Sequence, residues 1–318
     1  MPLLSQGPDF QGVEVWRGGV NTWECDEMGH MNVRFYVTRV QEGLVGLAAE
    51  LGLPHAYSPE ANATLLIREQ HIRFLREAHA TAPLHMLAGV VEMGETDARL
   101  LLVLHHSVSG EPAASFQVVV DHVTPRHGRP FPWPRAVRER AAGLMVEIPS
   151  YAAARSLSLD PVQSACDGGR AKAMGLMRIA AGAIGPQDCD VFGRMRADQF
   201  IGRVSDGISV LASRSRNAVV EGAETQPRRV GGAVLEYRLI HLDWPRAGDR
   251  VEISSGLAGV DHRTQRMVHW MYDPATGKPW GTSAAVAITM DLDARKIIPV
   301  SEAAQAALRR HQIEGLTL

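Results

Sequence analysis

Residues 23–36 read W-E-C-D-E-M-G-H-M-N-V-R-F-Y and hold the densest group of side chains able to do chemistry. Asp26 supplies a carboxylate, and His30 an imidazole four positions later. Both stand just ahead of an apolar pattern that predicts a helix opening near Val33. A carboxylate so placed can attack a carbonyl carbon directly, or act as general base on water. The first N–H groups of a helix lack intrahelical partners and sit at the positive end of its dipole. They can hold the negative charge that grows on the carbonyl oxygen. Gly29 lets the backbone come close to a bound group.

Each of these residues also has a plainer reading. An Asp ahead of a helix can simply cap free N–H groups, and that stands beside the chemical role for Asp26. His30 either polarises the carbonyl or holds the turn by hydrogen bonding. Asn32 fits an N-cap or turn role better than a chemical one. Glu42 can orient water, though answering Arg39 on the helix surface is the simpler reading. Tyr36 reads as core lining rather than as a participant, with Val33 beside it on the same helix.

The pattern occurs twice. Residues 24–44, ECDEMGHMNVRFYVTRVQEGL, align without a gap to 188–208, DCDVFGRMRADQFIGRVSDGI, with 7 of 21 positions identical. Unrelated segments of that length would share roughly one. Asp26 is answered by Asp190 and Gly29 by Gly193, but His30 by Arg194 and Asn32 by Arg196. Downstream the similarity continues at a drifting offset, pairing Arg73 with Arg238 and Asp121 with Asp291. One fold is therefore used twice.

What must position the motif can be read coarsely. VEVWRGGV (13–20) predicts a strand, and Val33, Tyr36, Val37, Val40, Leu44, Leu47, Ala48 and Leu51 recur at helical spacing. That helix has little polar surface, as one wrapped by a sheet would. Gly52 and Pro54 stop it. Strands follow over roughly 64–77, 83–94, 99–109 and 113–122. The second copy predicts a helix over about 199–215 and strands near 232–242, 249–260, 264–273 and 282–291. SGEP (109–112) and PATGKP (274–279) predict matching hairpin turns. The expected fold class is α+β, two tandem domains, each an antiparallel sheet wrapped around a central helix. Expected boundaries are 1–135 for the first domain, 136–175 for linker and the start of the second, 176–300 for the second, and 301–318 for a terminal helix capped by Ser301.

The acidic residue, G-H-x-N and an aromatic opening the helix together resemble the hot-dog thioesterases of the 4-hydroxybenzoyl-CoA thioesterase type. Asp121, Arg126 and Pro130 after the last strand resemble that family too. The paired arrangement is similar to its double hot-dog members, whose halves imitate a homodimer. The resemblance implies hydrolysis of an acyl-CoA or acyl-carrier thioester without metal or organic cofactor. It implies catalytic roles around Asp26, His30, Asn32, Glu42 and Asp190, with Gly29, Val33 and Tyr36 at the substrate. Arg194 and Arg196 either grip the coenzyme A phosphates or are surface arginines, and one competent site with an adapted partner is the preferred reading. Acyl-thioester hydration or dehydration, and acyl-CoA binding without turnover, stand as alternatives on the same fold.

Composition narrows the rest. At 318 residues, 45% hydrophobic and 21% charged with a net charge of -2, the chain gives no reason to expect nucleic acid or an anionic membrane as partner. The first ten residues show no secretory pattern, no run suits a membrane span, and a cytoplasmic protein is expected. The fused pair can dimerise further. Three cysteines without a C-x-x-C pair argue against a disulfide framework or thiolate zinc site. His71, His79, His85, His105 and His106 suggest no metal, because strand alternation separates neighbours and no carboxylate–histidine cluster is visible. Neither G-x-S-x-G nor a phosphate-binding glycine loop is present.

Overall fold

The computed structural model describes residues 10–223 and 227–318. These divide into two compact units. The first runs to Ala154 and takes in Cys189–Gln199; the second comprises Arg155–Asp188 and Phe200–Leu318.

In the first unit, strand β1 (Val13–Gly19) leads through a short 3-10 turn and the Asp26 loop into helix α1 (Val33–Glu50). Strands β2 (Thr64–Phe74), β3 (Pro83–Met93), β4 (Asp97–His106) and β5 (Pro112–Val123) follow, then helix α2 (Arg135–Ala142). All pairings are antiparallel, in the order β1-β3-β4-β5-β2. Helix α1 buries Tyr36, Val37, Val40, Leu44, Leu47 and Ala48, about 1.5–3 kcal/mol for each large apolar side chain. Its approach to β1 is close enough that a Cβ on Gly46 would lie 2.3 Å from the carbonyl oxygen of Val15.

The second copy, whose helix α4 begins in the first unit, repeats the plan. After α3 (Gly168–Ala173) come β6 (Met177–Ala183), α4 (Asp198–Gly207), α5 (Ser209–Glu221), β7 (Val230–His241), β8 (Arg250–Val260), β9 (Gln265–Tyr272) and β10 (Pro279–Asp291). A short β11 (Lys296–Ile297) pairs with β10, and α6 (Glu302–Arg309) closes the chain. The antiparallel order is β6-β8-β9-β10-β7, the same as in the first unit. Each unit is the α+β hot-dog arrangement expected. A Cβ on Gly207 would meet the Ile179 carbonyl oxygen at 2.2 Å, so a helical glycine again rests on the first strand. The second helix differs from expectation: it is broken at Ile208 and runs on to Glu221.

Strand irregularities date the repeat better than residue identity does. The β1 pairing shifts between Glu14 and Trp16, and the β6 pairing between Arg178 and Ala180, 164 residues on. Beyond the helices the offset is 167: the shift at Val90/Glu92 is answered at Leu257/Gly259. This corrects two pairings made from sequence. Arg238 corresponds to His71 rather than Arg73, and Asp121 to Ile288 rather than Asp291. Three extra residues before the second set of strands moved the register, and chance Arg–Arg and Asp–Asp matches concealed it.

The segment expected as linker and start of the second domain, 136–175, is divided between the units. Val146 N–H donates to the Val90 carbonyl and Val90 N–H to the Leu144 carbonyl, and Ala152, Val146, Ile148 and Tyr151 pack on the outward face of β4 against Leu101 and Val103. Leu157, Cys166, Ala171 and Leu176 do the same against Val268 and Trp270 of β9. Both central strands are thus buried on two faces, which explains their unbroken apolar runs. Ser301 caps α6 as expected, its Oγ accepting from Ala304 N. All three cysteines are free thiols, and no described helix is long and apolar enough to cross a membrane.

Candidate active site

The Asp26 loop is a tight Asx-type turn held by its own carboxylate. Asp26 Oδ1 accepts from the backbone N–H of Met28 at 2.9 Å and of His30 at 3.1 Å. The Asp26 N–H donates to the His30 carbonyl at 2.8 Å and Gly29 N–H to the Asp26 carbonyl at 3.0 Å. Gly29 has φ +80°, a left-handed conformation that glycine adopts without strain. Among the described residues nothing hydrogen-bonds to Asp26 Oδ2, and the residue is half-buried. Asp26 is not the cap of α1.

That cap is Asn32. Its side-chain oxygen accepts from Arg34 N at 3.0 Å and its carbonyl from Phe35 N at 2.9 Å, while its own N–H donates to the Glu24 carbonyl. Two of the helix-start amides expected to serve a carbonyl oxygen are therefore taken, and Val33 N–H is the one Asn32 leaves. Tyr36 is buried edge-on against Phe74 at 5.2 Å, with its hydroxyl bonded to the Ala78 backbone. Burial drives its pKa upward, so the phenol stays protonated. Glu42 is exposed and sits 3.2 Å from Arg39 Nη1, the helix-surface pairing that spacing favoured.

The second motif loop repeats the first bond for bond. Asp190 Oδ1 accepts from Phe192 N and Arg194 N, both at 2.9 Å. Asp190 N–H donates to the Arg194 carbonyl, and Gly193 has φ +76°. The difference is the other carboxylate oxygen: Arg194 Nε donates to Asp190 Oδ2 at 3.2 Å. The Arg194 guanidinium is 5% exposed on its side chain and stacks over Phe192 at 5.0 Å. Arg196 Nε donates to Asp198 Oδ1 at 3.0 Å. Both arginines are engaged with carboxylates of their own segment, Arg194 with Asp190 and Arg196 with Asp198.

Three groups escaped the sequence. Asp198, 1% exposed on its side chain, collects Arg34 Nε at 3.0 Å, Arg196 Nε at 3.0 Å and Gln41 Nε2 at 3.1 Å. Burial opposes its charge, but these donors outweigh it and hold its pKa below the usual carboxylate value. Glu24 is buried against Arg39, with the Asn21 N–H donating to it at 2.8 Å. Asp188 and Arg203 repeat that pair at 3.1 Å in the second unit.

The third group overturns the expectation that no carboxylate–histidine cluster exists. His79 lies in the loop after β2, not in a strand, and bridges backbone-to-backbone with His30. Glu77 Oε2 sits 3.4 Å from His30 Nε2, and the two imidazoles meet edge-on at 4.8 Å. Only the sequence R-E-A-H at 76–79 hinted at it. On the strands alternation does govern: His85 and His105, opposite each other on β3 and β4, stack at 5.3 Å.

A family model described as the thioesterase-like superfamily matches residues 20–141 and 184–308, once on each copy. Among solved structures, the chain is similar to a 12:0-ACP thioesterase from Umbellularia californica, with TM-score 0.65 and 11% identity. That alignment covers 86% of this chain and 93% of the other. An acyl-ACP thioesterase from Bacteroides thetaiotaomicron matches with TM-score 0.61 and 9% identity over 86% and 96% of the two chains. No curated protein matches. At such identities the structural likeness shows the fold.

Proposed function

The chain belongs to the thioesterase-like superfamily, and from that premise we propose that it hydrolyses acyl thioesters at the Asp26 loop. The observation that carries this reading is the contrast between two otherwise equivalent carboxylates. Oδ1 of each is spent on holding its turn, while Oδ2 is clamped by Arg194 in Asp190 and, among the described residues, unbonded in Asp26.

Asp26 Oδ2 acts on the thioester carbonyl as nucleophile or as general base on water. In the second case the water oxygen bonds to the carbonyl carbon, its proton passes to Asp26, and the C–S bond breaks. The proton then goes to the departing thiolate, giving acid and thiol. Thiolate leaves readily, so no strong acid is needed beside the sulfur. His30 and the Val33 N–H are the nearby donors for the charge on the carbonyl oxygen. His30 Nε2 lies 3.4 Å from Glu77 Oε2, which orients the ring.

The substrate class is an acyl thioester of coenzyme A or of a carrier protein. Both structural neighbours are named as ACP thioesterases, which puts carrier-protein substrates in the assay beside the CoA esters. The test is free-thiol release from short, medium, long and aromatic acyl-CoAs and from acyl-carrier protein. Thiol release with equimolar free acid supports hydrolysis. A change at the acyl double bond without free thiol, or binding without turnover, contradicts it.

A further inference from the structure

His30, Glu77 and His79 converge from two loops of the first unit, and from this geometry we propose a binding site for a first-row divalent transition metal of the zinc class. The three ligand atoms lie within 4.8 Å of one another. A single carboxylate oxygen, Glu77 Oε2, faces both imidazoles, at 3.4 Å from His30 Nε2 and 4.0 Å from His79 Nε2. The longer gap exceeds a hydrogen bond, so the carboxylate does not bridge the two rings by itself. Bonds of about 2.0–2.2 Å to a tetrahedral ion would set ligand atoms roughly 3.3 Å apart. A closure of less than about 1.5 Å among these side chains therefore completes the set.

The donor types agree with the spacing. Two imidazoles and one carboxylate with an open fourth position are a set that zinc and its neighbours accept, keeping water on the free side. Magnesium and calcium prefer all-oxygen surroundings. His79 has the outer partner that such a ligand needs: its Nδ1 lies 3.3 Å from the Gly29 carbonyl, which takes the Nδ1–H and turns the Nε2 lone pair inward. The segments carrying the ligands are already joined, because Met31 N–H donates to the Ala78 carbonyl at 2.7 Å beside the His30–His79 bridge. Half the His79 side chain is exposed, at 53%, so an ion can enter from solvent.

This site stands without the thioester reading, although it shares His30 with it, and its test reads binding rather than turnover. Chelator-stripped protein is titrated calorimetrically with zinc chloride and, separately, with magnesium chloride; cobalt(II) absorption reports the coordination geometry. One zinc per chain is expected, with no comparable magnesium binding. His79→Ala and Glu77→Gln should each weaken zinc by at least about 10- to 100-fold, the cost of losing even an outer partner. His85→Ala, on the separate stacked pair, should bind as wild type does. Circular dichroism on each variant confirms that it is folded, and the exposed His79 makes that variant the decisive one. Zinc bound equally by wild type and His79→Ala, or no stoichiometric zinc at all, overturns the proposal.

Discussion

Arg194 donates its Nε–H to Asp190 Oδ2 at 3.2 Å, whereas the residue in the same place of the other copy, His30, turns away from Asp26 toward Glu77. Two loops with the same backbone hydrogen bonds thus differ in whether their carboxylate is engaged. The pairing has an energetic consequence as well. Removing Asp190 strands a nearly buried guanidinium, while removing Asp26 frees only two backbone donors in a half-buried turn. Asp190→Ala should cost about 1–3 kcal/mol more than Asp26→Ala in urea unfolding. Equal losses would contradict the inward role of Arg194.

Asp198 is the most heavily committed carboxylate described, with Arg34, Arg196 and Gln41 all donating to it. Arg34 and Asp198 also occupy the same position in the two copies, 164 residues apart. Asp198→Ala should destabilise by about 3–5 kcal/mol, as breaking a buried charge cluster does. Asp198→Asn, which keeps the shape and an acceptor, should cost less. A neutral Asp198→Ala in chemical denaturation would show the cluster to be incidental.

Gly46→Ala tests the approach of α1 to β1. The added Cβ would lie 2.3 Å from the Val15 carbonyl oxygen, and backbone on both sides leaves little room to yield. Overpacking of this kind costs about 1–3 kcal/mol. The melting temperature should fall, despite the better helix propensity of alanine. An unchanged or raised Tm would mean that the helix shifts freely on the sheet.

How much of this was legible in advance follows from what each feature depends on. The helix over Val33–Glu50 and the strands were readable because apolar period and turn residues are local properties. The outer cover at 144–152 was not, since its few apolar residues carry no period and acquire meaning only against Leu101 and Val103. The Asp26 loop stood out because it occurs twice. Glu77 and His79 did not, because a helix and a strand separate them from His30 in the chain. Nor were the carboxylate partners of the paired arginines legible: residue type suggested a phosphate, and only the structure places Asp190 and Asp198 within reach.

Three buried histidines make stability depend on pH in a stated direction. Burial lowers the pKa of His105 to about 4, and of His241 and His269 to about 3, from 6.5. Unfolded histidine takes up a proton that the folded state refuses, so the contribution is complete above about pH 6.5 and declines as pH falls toward those folded values. Each histidine steepens the loss by up to about 1.4 kcal/mol per pH unit in that window. The urea midpoint should drop between pH 7 and pH 4.5, and less steeply in His269→Gln. Parallel curves for wild type and variant would contradict the assignment.

The central claim is that one of two matching carboxylates does the chemistry, and Asp26→Asn tests it most directly. Asparagine still offers Oδ1 to the Met28 and His30 N–H groups, so the turn is preserved while the carboxylate is lost. Thiol release from the best acyl thioester should fall by about 10²- to 10⁴-fold, the usual weight of a general base. Asp190→Asn should stay within a few-fold of wild type. Full activity in Asp26→Asn, or equal losses in the two variants, would contradict the account.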